Sequence, residues 1–222
     1  CSHGCLYPCY AYNMARTYGR AADYADWCTP RLVSNAAELL EKELRRLKER
    51  PPYIHICLTT DPFMYRRPEV AELTLELIAM INAAGLPVSI LTKGILPAEL
   101  ADRNRFPADN IHGISLVSVS EEFRRKWEPG AAPYADRIAA LRVLHDAGRT
   151  TLVHMEPYPT PNVFEQDLGG ILGRIGFIDR FWFGGWNYNA VTGKYPGRRE
   201  FYRAAEETAR GFCRDNGIGW GG

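Results

Sequence analysis

The sequence predicts an α/β fold built on a parallel sheet, and three observations carry that prediction. Short apolar runs of strand length alternate along the chain with longer segments whose apolar residues recur at helical spacing. Strands that alternate with helices need right-handed crossovers, and these make the sheet parallel. The runs end in polar turns: Thr59-Thr60-Asp61-Pro62, Thr92-Lys93-Gly94, Ser120-Glu121 and Glu156-Pro157. The chain also opens on Cys1-Ser2-His3-Gly4-Cys5-Leu6-Tyr7-Pro8-Cys9, three thiols within nine positions. In open barrels and doubly wound sheets alike, ligands gather at the carboxyl ends of the strands. The polar turns and the thiols are therefore expected to share one site.

The elements follow in order. Residues 13–33 mix Tyr, Arg, Ala and Asp without a clear period and are predicted as a short helix followed by loop. Ser34 and Asn35 can cap a helix carrying Ala37, Leu40, Leu44 and Leu47 on one side, which Pro51-Pro52 stops. Tyr53 to Leu58 reads as a buried strand. Pro68 suits the first position of a helix through Val70, Leu73, Leu77 and Ile81, and Gly85 suits its end. Pro87 to Leu91 is predicted as a second strand, residues 97–103 as a short helix and Gly113 to Val119 as a third strand. A helix from Tyr134 to Ala147, a strand from Thr151 to Met155 and a helix from Phe164 to Ile175 continue the pattern. Arg180 to Phe183 is the fifth strand, and an amphipathic helix from Arg199 to Arg214 closes the chain.

Composition narrows the function. A chain of 222 residues suits one domain, spanning 1–222, with a sizeable core. A net charge of +1 gives no general attraction to nucleic acid, and Arg124-Arg125-Lys126 and Arg198-Arg199 read as solvated faces. No apolar run reaches membrane-spanning length. Six cysteines, half of them clustered at one end, are too few for a disulfide scaffold, so a reducing, cytoplasmic compartment is expected.

Gly4 and Pro8 argue against a helix through the three cysteines and for a loop. Such a loop can give one thiolate to each of three irons in an iron–sulfur cluster and leave a fourth iron open to a small molecule. Other readings stand beside it at this point. Cys1, Cys5, Cys9 and His3 could bind zinc, although zinc ligands usually come as two separated pairs. Cys28 could close the cluster as a fourth ligand and make a non-catalytic electron carrier, or the cysteines could be structural.

The opening stretch resembles the cluster loop of radical S-adenosylmethionine (SAM) enzymes, usually written Cys-x3-Cys-x2-Cys, although Pro8 lengthens the second gap here. Thr60-Asp61, Thr92-Lys93 and the run Arg125-Lys126-Trp127-Glu128-Pro129-Gly130 resemble the branch that includes spore photoproduct lyase. The resemblance implies a partial (β/α)6 TIM-type barrel. The first residue is Cys1 and already belongs to the motif, so the sequence is expected to be a fragment whose first barrel strand lies upstream. It also implies a [4Fe-4S] cluster on Cys1, Cys5 and Cys9, with SAM on its open iron. A reductant such as a flavodoxin or ferredoxin would supply one electron to cleave SAM to a 5′-deoxyadenosyl radical, for hydrogen abstraction from an unknown substrate. A lesion-specific DNA lyase is the alternative reaction, so nucleic acid is a possible partner.

By the same resemblance, Lys93 is expected on the SAM carboxylate, Thr60-Asp61 at the methionyl amine and Tyr10 beside the adenine. Ser118 or Ser120, two apart and so on one side of their strand, are expected on the carboxylate or ribose. Cys57 lies near the position of a hydrogen-donating cysteine in spore photoproduct lyase, though a buried strand cysteine fits it as well. Glu128 could be a cap or an ion-pair residue. Glu156, Asn187 and Asn189 lie in loops dense in Tyr, Trp and Asn, side chains that stack on a base and read its edge. They are expected in the cofactor or substrate pocket.

Overall fold

The computed structural model describes residues 1–7, 9–56 and 58–221. Its sheet has six strands: β1 (Ile54–Ile56), β2 (Val88–Thr92), β3 (Ile111–Ser115), β4 (Thr150–Tyr158), β5 (Arg180–Gly185) and β6 (Gly219–Trp220). They lie side by side in chain order, and each neighbouring pair is parallel. A doubly wound sheet would reverse its strand order at a switch point, and none is present here. The winding is therefore that of an open barrel.

Nine helices are described: α1 (Tyr10–Thr17), α2 (Tyr24–Trp27), α3 (Ala36–Arg46), α4 (Pro68–Ala83), α5 (Glu121–Trp127), α6 (Tyr134–Asp146), α7 (Leu168–Gly173), α8 (Ala190–Gly193) and α9 (Arg198–Asp215). Pro68 opens α4 as predicted, because the proline lacks only an N–H that would have had no helical acceptor. A single 3-10 turn, Ala98–Ala101, replaces the short helix expected over 97–103.

The strands have two unlike faces. Ile56, Val88, Ile90, Ile114, Val153, Met155 and Phe181 are buried in the apolar core. Side chains alternate along a strand, so His55, Leu91, His154, Glu156 and Trp182 take the opposite face. That face is only partly covered, with Trp182 42% exposed. Polar and aromatic groups thus collect on the side away from the helices, as in the interior of a partial barrel.

One expectation needs correction, and two elements had no counterpart in the sequence reading. The third strand ends at Ser115 rather than Val119, because the chain leaves the sheet to enter α5. Helix α5 was not predicted, since its apolar positions, Phe123 and Trp127, are too few to set a period. The sixth strand of this sheet is the two-residue β6 near the carboxyl end, too short for any alternation to show. Among the described residues no helix is long and apolar enough to cross a membrane.

Candidate active site

The cysteine loop lies against turns at the carboxyl ends of the strands, and backbone contacts hold it there. Leu6 N–H donates to the Trp127 carbonyl at 2.9 Å, and Gly130 N–H donates to the His3 carbonyl at 2.8 Å. A Cβ on Gly130 would come within 2.2 Å of the Ser2 carbonyl, so the loop packs on bare backbone. From the other side, the Tyr24 hydroxyl donates to the Cys5 carbonyl at 2.9 Å. Cys9 is the N-cap of α1.

Asp61 fastens this loop to the sheet. Its Oδ1 accepts from Phe63 N–H at 3.0 Å and from the Thr92 hydroxyl at 2.6 Å. Its Oδ2 accepts from Lys93 N–H at 2.8 Å and lies 3.3 Å from His3 Nδ1. Burial pushes the Asp61 carboxyl up, but His3 and the bonds from Thr92 and Lys93 outweigh it and hold the group at about 2. His3 Nε2 accepts the Tyr65 N–H at 3.1 Å, so Nδ1 carries the ring proton and donates it to Asp61.

A second buried group lies beside it. Glu128 is fully buried. Its Oε2 accepts from Arg137 Nη2 at 2.8 Å, and its Oε1 accepts from the Tyr7 hydroxyl at 2.7 Å. Arg137, also fully buried, spends its other donors on the Ala132 and Ser115 carbonyls, both at 2.9 Å. The Lys93 ammonium lies 3.9 Å from Glu128 Oε1 and 5.6 Å from the centre of the Tyr7 ring. Burial pushes the Glu128 carboxyl up, yet Arg137 and Lys93 hold it below the usual carboxylate range. Two cations thus share the Glu128 carboxylate beside the cysteine loop, and the Asp61 carboxylate on the Lys93 N–H balances the second.

Comparison with known proteins identifies the family. The family model of the Radical SAM superfamily matches residues 1–175. The chain belongs to the radical SAM superfamily.

Members of this superfamily use a [4Fe-4S] cluster and SAM, and depend on a reductant. Uncharacterised proteins of Mycobacterium tuberculosis (strain H37Rv) and Mycobacterium bovis are each 29% identical over 182 residues, covering 79% of this chain. The match covers 52% of their length, so the chain spans about half of the curated relatives it matches. A structure of spore photoproduct lyase with bound AdoMet and dinucleoside spore photoproduct superposes with TM-score 0.67 at 17% identity, over 98% of this chain and 72% of that one. Streptococcus suis SuiB bound to S-adenosylmethionine gives TM-score 0.50 at 14% identity, over 86% and 53%. At these identities the two structures show a shared fold.

The donor chemistry of this chain fits the superfamily cluster. Cys1, Cys5, Cys9 and Cys28 are free thiols, the first three in the loop that the strand ends hold. Among the described residues no three His, Cys, Asp or Glu side chains form a group that could hold a metal ion as the chain stands. A four-iron cluster asks for something different, one thiolate at each of three separate irons. The zinc set that includes His3 does not fit, because both ring nitrogens already have protein partners. Burial pushes the Cys5 thiol up to about 12, so in the free chain it stays protonated near neutral pH, and a metal bound there would have to displace that proton.

The expected SAM residues separate into groups. Lys93 and Asp61 come together, with Thr60 exposed one residue away and Tyr10 58% exposed at the start of α1. Both Asp61 oxygens are already occupied from within the chain, so its visible role is that of a clamp. Ser118 and Ser120 lie beyond β3, and their expected projection from one side of a strand fails for that reason. Ser118 Oγ accepts Ser120 N–H at 3.1 Å, while Ser120 Oγ caps α5 by accepting Phe123 N–H at 3.4 Å. The two serines line a separate cavity of about 220 Å³ with Gln166, Asp167 and Arg174.

Glu156 lies on the open face of the sheet, accepts Trp182 Nε1–H at 3.2 Å and sits 3.7 Å from His154 Nε2. Burial, then Lys93 and His55, lower His154 to about 4, which keeps its ring neutral near pH 7. Asn189 proves to be the N-cap of α8, its Oδ1 accepting from Val191 and Thr192 N–H at 2.8 and 3.0 Å. Exposed Asn187 accepts from Arg198 at 3.1 Å. Cys57 lies outside the described residues.

Sequence reasoning missed Tyr7, Arg137 and Trp186. The Trp186 indole is buried, edge-on to Tyr7 with ring centres 5.4 Å apart. The run Trp127-Glu128-Pro129-Gly130 was the available signal, since an acid between Trp and Pro beside a Gly is a poor choice for a solvated helix end.

Proposed function

We propose that this chain is the catalytic domain of a radical SAM enzyme, with Cys1, Cys5 and Cys9 as the cluster ligands and Lys93 as the contact to the SAM carboxylate. The place of the Lys93 ammonium carries this reading: it lies beside the cysteine loop, 3.9 Å from a Glu128 carboxylate that is already bonded to Arg137 and Tyr7, so it can meet an incoming carboxylate. When bound, cluster and SAM supply one-electron cleavage of a sulfonium–carbon bond, giving methionine and a 5′-deoxyadenosyl radical that takes hydrogen from the substrate.

The chain's own residues do the positioning. Asp61 and His3 fix the cysteine loop, Glu128 fixes Tyr7 and holds Lys93 in place, and the Trp186–Tyr7 contact keeps water from the loop's inner side. Thr60, exposed next to Asp61, is the hydroxyl we assign to the methionyl amine, and Tyr10 the ring we assign to the adenine. A one-electron donor such as a flavodoxin or ferredoxin is the partner this chemistry needs.

The open face of β4 and β5 favours a substrate with a flat ring. Trp182 is 42% exposed, and Glu156 pins its indole N–H, leaving a ring face free for stacking. A nucleobase meets that description, which keeps a DNA-lesion lyase as the second reading.

The deciding experiment is anaerobic reconstitution with iron and sulfide, followed by dithionite and SAM. Formation of 5′-deoxyadenosine is expected. A reconstituted cluster whose spectrum is unchanged by SAM, with no 5′-deoxyadenosine, would instead make the chain an electron carrier.

A further inference from the structure

Beside the cysteine loop is a second, separate opening. A cavity of about 430 Å³ is lined by Ser2, Gly130 and three arginines, Arg66, Arg67 and Arg124, with no acidic residue in its wall. Two of the arginines have a carboxylate beside them, Glu121 at Arg124 and Glu69 at Arg67, and the cavity wall keeps a positive excess through Arg66. Lys93 and Glu128 do not line it. It shares with the SAM site only the loop backbone, where Gly130 N–H meets the His3 carbonyl at 2.8 Å.

The charges differ in how they are held. Arg124 is fixed, with Nε on Glu121 at 2.5 Å and Nη1 on the Ala131 carbonyl at 2.9 Å. Arg67 lies 3.8 Å from Glu69, both well exposed. Arg66 is exposed, and its one recorded side-chain contact among the described residues is with the Tyr65 ring, 5.1 Å from the ring centre. Two helices begin at this wall. Arg67 is the N-cap of α4 and Pro133 that of α6. Glu69 stands in the first turn of α4, and Glu121 accepts the Tyr134 N–H of α6 at 3.1 Å, so the charge left for a partner is that of the arginines, with Arg66 the one that has no carboxylate recorded on it among the described residues.

We infer that this arginine-lined cavity docks an acidic face of the electron-donor protein. The inference rests on the proposed function, since it takes the cysteine loop to carry the cluster. Members of the superfamily need a reductant, and a protein reductant must approach close to that loop. The strand-end side is assigned to SAM and substrate, whereas this cavity reaches the same loop through Ser2, the neighbour of Cys1. Opposite charge steers such encounters and sets their orientation, and salt weakens them.

The test uses the reconstituted chain and an acidic flavodoxin in its oxidised form, with binding read by anisotropy of a labelled flavodoxin at low and high salt. Arg66→Glu and Arg67→Glu are each expected to weaken binding by about tenfold or more at low salt, with Arg66→Gln intermediate, and high salt to remove most of the difference. Dithionite-driven formation of 5′-deoxyadenosine should be the same in wild type and variants, because dithionite needs no docking site.

Equal flavodoxin binding by wild type and both charge reversals would overturn the inference. So would a loss confined to binding of a short single-stranded oligonucleotide, which would assign the cavity to nucleic acid. Failure of the wild type to cleave SAM with dithionite would count against the proposed function alone, since flavodoxin binding is measured independently of turnover.

Discussion

The Asp61 carboxylate meets the His3 imidazole at 3.3 Å, although 58 residues separate the two positions. Through this pair the turn after β1 holds the loop that carries the thiols, and Thr92 and Lys93 N–H bring β2 into the same knot. Asp61 is held at about 2, below its ordinary 3.8. A lowered acid contributes stability that is complete above its unfolded-state value and is lost as pH falls toward the folded one. Asp61→Asn should therefore lower the unfolding free energy by about 2 kcal/mol at neutral pH. The gap to wild type should close as pH drops from about 4 to 2, the window set by the two values. Urea unfolding of the metal-free chain at several pH values measures this, and a gap independent of pH would refute it.

Removing Arg137 leaves Glu128 charged and buried with its main counter-ion gone. Arg137→Met is expected to cost about 3–5 kcal/mol, in line with breaking other buried pairs from one side. Tyr7→Phe removes only one hydrogen bond to the same carboxylate and should cost about 1.5–3 kcal/mol. Chemical denaturation gives both values, and their order is the sharper check. A Tyr7 variant less stable than the Arg137 variant would mean that the carboxylate depends on the phenol more than on the guanidinium.

Lys93→Ala removes the cation proposed to meet the SAM carboxylate. Loss of one charge-assisted contact corresponds to roughly 10–100-fold weaker binding. Equilibrium dialysis of SAM against the reconstituted chain reads this directly, with iron content as control. Unchanged affinity at unchanged iron content would remove Lys93 from the SAM site.

The cysteines should divide into two classes. Cys5→Ala is expected to lose most bound iron and acid-labile sulfide, whereas Cys28→Ala should keep both and still respond spectrally to SAM. Cys28 is nonetheless close by, since a Cβ on Gly4 would lie 3.9 Å from its sulfur. Iron loss in the Cys28 variant equal to that in the Cys5 variant would favour the closed cluster of an electron carrier.

What the sequence alone determined is local or periodic. Apolar alternation marked five of the six strands, proline and glycine marked the ends of α4, and the clustered thiols marked the chemistry. Of the polar turns, Thr59-Thr60-Asp61-Pro62 and Thr92-Lys93-Gly94 marked the ends of β1 and β2, whereas Glu156-Pro157 lies inside β4 and Ser120-Glu121 opens α5. These signals lie within a few residues of one another, so no folding is needed to read them.

Tertiary structure decided which polar groups are spent on the fold and which remain for a ligand. Ser118, Ser120 and Asn189 look available in the sequence, but each hydroxyl or amide oxygen is taken by a nearby backbone N–H. Glu128 looks like a helix-end acid, yet it is buried against Tyr7, 121 residues away in the chain. A buried charge persists only where distant partners converge on it, and that convergence comes from how the strands and their turns are brought together, which a linear pattern does not record.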